Sequence, residues 1–441
     1  MTIKMKMKFL LTVLLFVEIE AHALTNSNPE THAGDVGKLY EGDILLTPEQ
    51  EADFTNAVRG EASIEPRQKR HAYRGKDYPT NTWGEKVYYQ FDIHASQTLK
   101  DEFKRAAMAW QQDTCIDFEE ETRNVNREGL WIFTQYEGFC ASNIGKIKED
   151  SSYWQYWKWQ NLYLGKGCET FGRAAHELGH ALGLAHTMSR NDRDEYIVVD
   201  TINKPNYANQ FKKNGSFESY GLGYDYGSIM HYLRRSGFSK DDYVMIIPDS
   251  KYINTLGSEM ISFIDLTMIN KHYNCTEKCK SESSDLQCQH GGYPHPRNCS
   301  ICLCPTGYGG VHCNERPSDG CGKELEAKNT WQEETITISG DSKEHLDGYK
   351  KCNYWIKSPK DTKIKIELKE LRFNATAGCS KGGVEVKTKK DQTLTGYRFC
   401  DELEEDLPLS STLNLVPLII YSRPHSDSRA VVRYRYVKRS R

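Results

Sequence analysis

The run HELGHALGLAH, from His176 to His186, sets three imidazoles and one carboxylate at spacings that suit a transition metal. On a helix, His176 and His180 lie four residues apart and share one face, so both rings reach a single ion at roughly 2.0–2.1 Å. Gly183 comes three residues after His180, where a glycine can take the positive φ that ends a helix and turns the chain back. That turn returns His186 as a third ligand. Three protein nitrogens leave a fourth position for water, the mark of a catalytic rather than a structural zinc site. Zinc lowers the pKa of such a water, and Glu177, projecting beside the metal, takes its proton to make a hydroxide nucleophile. The competing reading, a core helix that merely carries histidines, leaves Gly183 and His186 unexplained.

Sheet and helix patterns flank this run. Val87-Tyr88-Tyr89-Gln90-Phe91 alternates as a half-buried strand does. Leu99, Phe103, Ala106 and Trp110 recur at helical spacing and form one apolar stripe for a core. Gln160-Asn161-Leu162-Tyr163-Leu164 precedes Gly167-Cys168 and reads as another strand.

The pattern H-E-x-x-H-x-x-G-x-x-H resembles the metzincins, and the sequence beyond it resembles their astacin branch, the nematode members above all. Ser189-Arg190-Asn191-Asp192-Arg193-Asp194 is similar to that family's S-R-x-D-R-D, and Ser228-Ile229-Met230-His231-Tyr232 to its S-x-M-H-Y turn. Trp83-Gly84 and Thr114-Cys115-Ile116-Asp117-Phe118 also resemble family segments. The resemblance implies a multidomain α+β protein whose two-lobed catalytic domain has a mixed five-stranded sheet and an active-site helix. It implies Met230 as an apolar floor beneath the metal, and Tyr232 either as a zinc contact or as a group that swings to stabilise the tetrahedral intermediate. His231 is expected to be structural. The strand Gln160–Leu164 is expected at the sheet edge beside the cleft, where an extended substrate pairs through its main chain. Thr187 stands where most astacins carry a glutamate that meets the matured amino terminus. Upstream, Tyr40-Glu41-Gly42-Asp43 resembles the propeptide motif F-x-G-D, whose aspartate takes the water position on zinc, so Asp43 is expected to silence a zymogen.

Secretion is indicated at the amino terminus. Lys4, Lys6 and Lys8 precede an apolar run from Phe9 to Val17, and Ala21-His22-Ala23 has the small-x-small pattern of a signal-peptidase site. The run is shorter than the roughly 18–20 residues a spanning helix needs, and no other stretch is apolar enough, so no membrane span is expected. Arg67-Gln68-Lys69-Arg70 reads as a proprotein-convertase site, with cleavage after Arg70. The expected organisation is a signal peptide at 1–23, a propeptide at 24–70, a catalytic domain at 71–275, an EGF-like module at 276–314 and an all-β CUB sandwich at 321–441.

The 14 cysteines fall by position into groups of four, six and four, and an even number in a secreted chain points to full oxidation. Spacing alone leaves three pairings open for Cys115, Cys140, Cys168 and Cys275; resemblance to astacin implies Cys115–Cys275 and Cys140–Cys168. The next six crowd a glycine-rich segment too short to build a core, which must be stapled. The order C-x-C-x₈-C around Gly307, Tyr308 and Gly309 resembles an EGF module and implies Cys279–Cys299, Cys288–Cys302 and Cys304–Cys313. Alternation in Ile364-Lys365-Ile366-Glu367-Leu368 and Val384-Glu385-Val386 argues a β-sandwich. Similarity to CUB domains implies Cys321–Cys352 and Cys379–Cys400. Where many CUB domains carry a calcium-binding aspartate, this chain has Ser380-Lys381-Gly382-Gly383.

Sequons at Asn214, Asn274, Asn298 and Asn374 are candidate glycan sites. The 58 basic and 61 acidic side chains nearly cancel, and no nucleic-acid partner is expected. The reading is a secreted, convertase-activated zinc endopeptidase acting on extracellular proteins, with one Zn²⁺ and a matrix protein as the candidate partner of the CUB module. The rival is a catalytically silent matrix-binding protein, against which intact Glu177 argues.

Overall fold

The computed structural model describes residues 39–59, 72–74, 78–122, 127–147, 158–200, 211–213, 217–234, 244–282, 285–338, 344–401, 408–424 and 428–439. The expected signal peptide, the basic run at Arg70 and the sequon at Asn214 lie outside them. The first sheet has seven strands: β1 (Leu39–Tyr40), β2 (Ile44–Leu45), β3 (Lys86–Phe91), β4 (Asp117–Glu120), β5 (Gly129–Phe133), β6 (Cys140–Asn143) and β7 (Trp159–Leu164). Their order is β1-β2-β6-β7-β5-β3-β4. β3, β4, β5 and β7 run parallel, β6 runs antiparallel to β7, and β2 pairs parallel with β6.

Two features depart from the reading of the sequence. The five strands β3 to β7 are joined by two more from the segment around Asp43, so the sheet is extended from upstream. And β7, expected at the edge, is interior. β6 and β7 follow one another in the chain and pair antiparallel, as a reversing connection allows, and this places β6 outside. The Cys140–Cys168 bond ties that outer strand to the loop entering the metal-site helix.

The upstream segment is anchored beyond its strands. Thr47 and Gln50 cap each other at the start of α1 (Pro48–Arg59), Gln50 N to Thr47 Oγ1 at 3.2 Å and Thr47 N to Gln50 Oε1 at 3.0 Å. The Gln50 amide then donates to the Ile144 carbonyl at 2.9 Å, and Phe54 packs on Tyr73 and Phe217.

One face of the sheet carries α2 (Gln97–Gln112) and α3 (Phe171–Ala181). The stripe of α2 is buried as its period demands, through Leu99, Phe103, Ala106, Ala107 and Trp110. Ser96 Oγ caps its first turn by accepting from Leu99 N at 3.1 Å. Trp110 fixes the two helices in register, its indole nitrogen donating to the Ala175 carbonyl at 3.0 Å, one residue before His176. Downstream, α4 (Phe263–His272) opens with a capping box between Ser262 and Asp265.

All 14 cysteines are paired: Cys115–Cys275, Cys140–Cys168, Cys279–Cys299, Cys288–Cys302, Cys304–Cys313, Cys321–Cys352 and Cys379–Cys400. The middle three staple a small unit whose hairpin pairs Tyr293–His295 with Asn298–Leu303. Its Arg297 reaches back to the first unit, bonding the Gln111 and Ile116 carbonyls and the Asp117 carboxylate. Beyond it, a five-stranded and a four-stranded sheet form a sandwich, with Ile356, Ile364, Val384 and Val432 among the side chains filled between them. That core is continuous with Met188, Tyr224, Tyr226 and Tyr252 of the unit bearing the histidines. Among the described residues, no helix is long and apolar enough to cross a membrane.

Two buried histidines make stability depend on pH. Burial lowers His231 to about 4, against the Tyr232 carbonyl bond that raises it, and lowers His272 to about 3, aided by the Arg74 charge. In the unfolded chain both take up protons below about pH 6.5. Their contribution is therefore complete above about pH 6.5 and declines toward pH 4, by up to about 1.4 kcal/mol per pH unit for each. Urea midpoints measured from pH 7 to 4.5 are expected to fall accordingly; a flat profile would refute neutral burial.

Candidate metal centre and active site

α3 ends where its sequence directs. Leu182 caps it, and Gly183 takes φ 105°, a conformation that a side chain resists. Gly183 N bonds the His180 carbonyl at 2.8 Å and Leu184 N the Gly179 carbonyl at 2.9 Å, closing the turn. The turn delivers two things: the Leu184 carbonyl against His180 Nδ1 at 2.7 Å, and His186 to the open face of the helix.

All three imidazoles are oriented through Nδ1. His176 Nδ1 lies 2.7 Å from the Ile229 carbonyl, His180 Nδ1 2.7 Å from that of Leu184, and His186 Nδ1 2.8 Å from Glu41 Oε2. A carbonyl only accepts, so His176 and His180 carry their protons on Nδ1 and leave the Nε2 lone pair free for a ligand bond. His176 Nε2 and His186 Nε2 stand 3.3 Å apart. Asp43 approaches the same point, 3.4 Å from His176 Nε2, 3.5 Å from His180 Nε2 and 3.2 Å from His186 Nε2. Four ligands around zinc at about 2.0–2.2 Å in a tetrahedron stand roughly 3.3–3.6 Å from each other, so these separations fit the ion. Buried His180 Nε2 and Asp43 Oδ1 have no hydrogen-bond partner, as atoms reserved for a metal would. Asp43, His176, His180 and His186 are the one metal-binding group among the described residues.

Glu177 is buried, with Oε2 unpartnered. Burial holds its carboxyl well above the usual range, and the Asp43 charge beside it adds to the push. Met230 is fully buried under the helix, where a Cβ on Gly179 would come within 2.6 Å of its sulfur. Glycine at 179 thus lets the turn close beneath the histidines. The Tyr232 ring lies 4.3 Å from that of His186, and its hydroxyl reaches both the Glu41 carbonyl and, at 2.9 Å, Asp43 Oδ2. His231 is no part of this cluster: Nε2 accepts from Tyr224 and Nδ1 donates to the Tyr232 carbonyl, both at 2.8 Å.

Three contributors escaped the sequence reading. Glu41 is 2% exposed and orients His186 from upstream, as outer carboxylates orient metal-bound histidines. Nothing in Y-E-G-D except its neighbour Asp43 signals this. Asp265 accepts from Ser228 Oγ at 2.6 Å and Ile229 N at 2.9 Å, and Thr187 Oγ1 donates to Ser228 at 3.0 Å. A chain of hydroxyls therefore ties the residue after His186 to the Met230 turn, and the S-x-x-D spacing of Ser262 and Asp265 was its available clue. Arg190, 1% exposed, grips Asp192 with two parallel bonds of 2.9 Å and the Leu222 and Gly223 carbonyls, so the S-R-x-D-R-D run braces the approach to that turn.

A helix-borne histidine pair, a third histidine past a glycine turn and a buried glutamate at the same centre define a zinc-dependent peptidase. The profile of the Astacin peptidase family matches residues 75–274. "Zinc metalloproteinase nas-31" of Caenorhabditis elegans is 42% identical over 426 residues, covering 96% of this chain and 67% of the relative. "Zinc metalloproteinase nas-23" of the same organism is 39% identical, covering 90% and 71%. Among solved structures, high choriolytic enzyme 1, a hatching-enzyme zinc protease of the medaka Oryzias latipes, matches with 25% identity and a TM-score of 0.39, over 46% of this chain and 98% of that one. The chain belongs to the astacin family of zinc metalloendopeptidases.

Proposed function

We propose that this chain is a secreted zymogen which, once cleaved after Arg70, hydrolyses internal peptide bonds of extracellular proteins. The observation that carries the reading is the convergence of three Nε2 atoms on one point with Asp43 in the remaining position. Zinc held there supplies a Lewis acid that polarises the scissile carbonyl and acidifies a water. Glu177, buried beside it, takes a proton from the attacking water and passes it to the leaving amine, so that one peptide bond and one water give a carboxylate and an amine. Tyr232, released from Asp43 when the propeptide leaves, donates its hydroxyl to the developing oxyanion.

Seven disulfides support an oxidising compartment. The proposed organisation keeps the boundaries read from the sequence: 1–23, 24–70, 71–275, the EGF-like unit at 276–314 and the CUB sandwich at 321–441. A proprotein convertase is the proposed activator. Exposure of Asn274, Asn298 and Asn374 supports glycans at those positions. A matrix protein is the proposed partner of the sandwich. The test is cleavage of a diverse peptide library by the chain matured at Arg70: a zinc chelator is expected to abolish cleavage and one equivalent of zinc to restore it. Undiminished cleavage by protein shown to be metal-free would overturn the reading.

A further inference from the structure

The C-terminal sandwich is bonded into the segment that carries Met230 and Tyr232. Gly223 to Gly227 lead directly into that turn, and Asp225 at their centre is 1% exposed. Its carboxylate accepts from Gly227 N at 3.2 Å and, from the sandwich, from Thr395 N at 3.1 Å and Thr395 Oγ1 at 3.0 Å. A carboxylate taken out of water needs such partners; Ser262 supplies a further one, and two of the bonds come from one residue 170 positions away. The contact is close: a Cβ on Gly227 would lie 2.3 Å from Thr395 Cγ2. Rings continue the joint, since Tyr397 of the sandwich stands 4.4 Å from Tyr252, which stacks on Tyr226 at 4.1 Å. Arg398 closes it, paired with Glu385 at 3.0 Å and donating to Ser258 Oγ at 2.7 Å, all buried. From the other side of the same segment, Tyr224 bonds His231, which bonds the Tyr232 carbonyl. A tether needs none of these buried bonds.

We infer that the sandwich is a working part of the active site: Thr395, acting through Asp225, is a positioning residue for the turn that places Met230 and Tyr232. The inference rests on the role proposed above for Tyr232, and the experiment separates the two. In the full chain matured at Arg70, Thr395→Val keeps the side-chain shape and removes the hydroxyl. On a short peptide too small to touch the sandwich it is expected to lower kcat about tenfold with KM unchanged, as small misplacements of reacting groups do. Thr395→Ser restores kcat. In a Tyr232→Phe background the same Thr395→Val change alters kcat less than about twofold, because the two act through one group. With cobalt in place of zinc, Thr395→Val shifts the visible absorption bands and Thr395→Ser does not. A folded Thr395→Val protein, verified by its melting temperature, with parental kcat and parental cobalt spectrum would overturn the inference. So would an equal loss of kcat in both backgrounds with an unchanged spectrum, which is the signature of lost stability alone. A silent Tyr232→Phe beside a shifted Thr395→Val spectrum would remove the role of Tyr232 and leave the clamp on Met230 standing.

Discussion

Glu177→Gln in the matured chain is expected to keep zinc and lose cleavage by about 10²–10⁴-fold in kcat/KM. Glutamine matches the carboxylate in shape, so the packing of α3 around a residue 2% exposed is preserved. Two of the three histidines hold their orientation through bonds that survive maturation and in which Glu177 has no part, His176 to the Ile229 carbonyl and His180 to that of Leu184. What the amide cannot do is accept a proton from water and return it to the amine. Metal content by mass spectrometry and kcat/KM on a library-selected peptide decide the matter. Zinc present in both proteins and cleavage only in the parent supports Glu177 as the base. Equal cleavage by both would assign the proton to another group, and loss of zinc would make Glu177 a support of the metal site.

Asp43→Ala should wake the uncleaved zymogen. To hold the chain uncleaved, Arg70→Gln is introduced as well, and activity is compared with and without the Asp43 change. Asp43 contacts all three Nε2 atoms and the Tyr232 hydroxyl. The bond from the Tyr232 hydroxyl to this charged carboxylate contributes about 1.5–3 kcal/mol, so losing it shifts the opening of the cleft by roughly 10- to 150-fold. Peptide cleavage and binding of a small zinc-directed hydroxamate are both expected to rise by that order. Full release is not expected, since Ile44 and Leu45 still pair with Ser142 and Asn143 along the sheet edge. If the double variant stays as silent as Arg70→Gln alone, latency belongs to the strand pairing and not to Asp43.

The metal centre was legible because its geometry is local. His176, His180, Gly183 and His186 lie within one helix and one turn, where spacing dictates direction. The Met230 and Asp43 motifs were readable only through family resemblance, since nothing near either residue specifies a partner more than 40 positions away. The edge of the sheet was misread for the same reason: the composition of Gln160–Leu164 describes a buried strand, and which strand lies outside it depends on a pairing with Cys140–Asn143 that no period encodes. Glu41, Asp225 and Thr395 were invisible in the sequence. Each is an ordinary polar residue whose meaning comes from a contact between separate units, and a carboxylate in a loop is most often solvated.

The Cys115–Cys275 bond has a consequence in time. Its halves are separated by 160 residues, and at roughly 5–20 residues per second of synthesis the first waits roughly 8–32 s for the second. Cys140 appears within that interval, much nearer in the chain than the correct partner. The strand that carries Cys140 has its neighbour waiting, because Ile44 and Leu45 are made before Cys115 itself. The segment proposed to be discarded on activation is thus also the earliest available template for the strand of Cys140, present from the first moment at which a wrong bond could form.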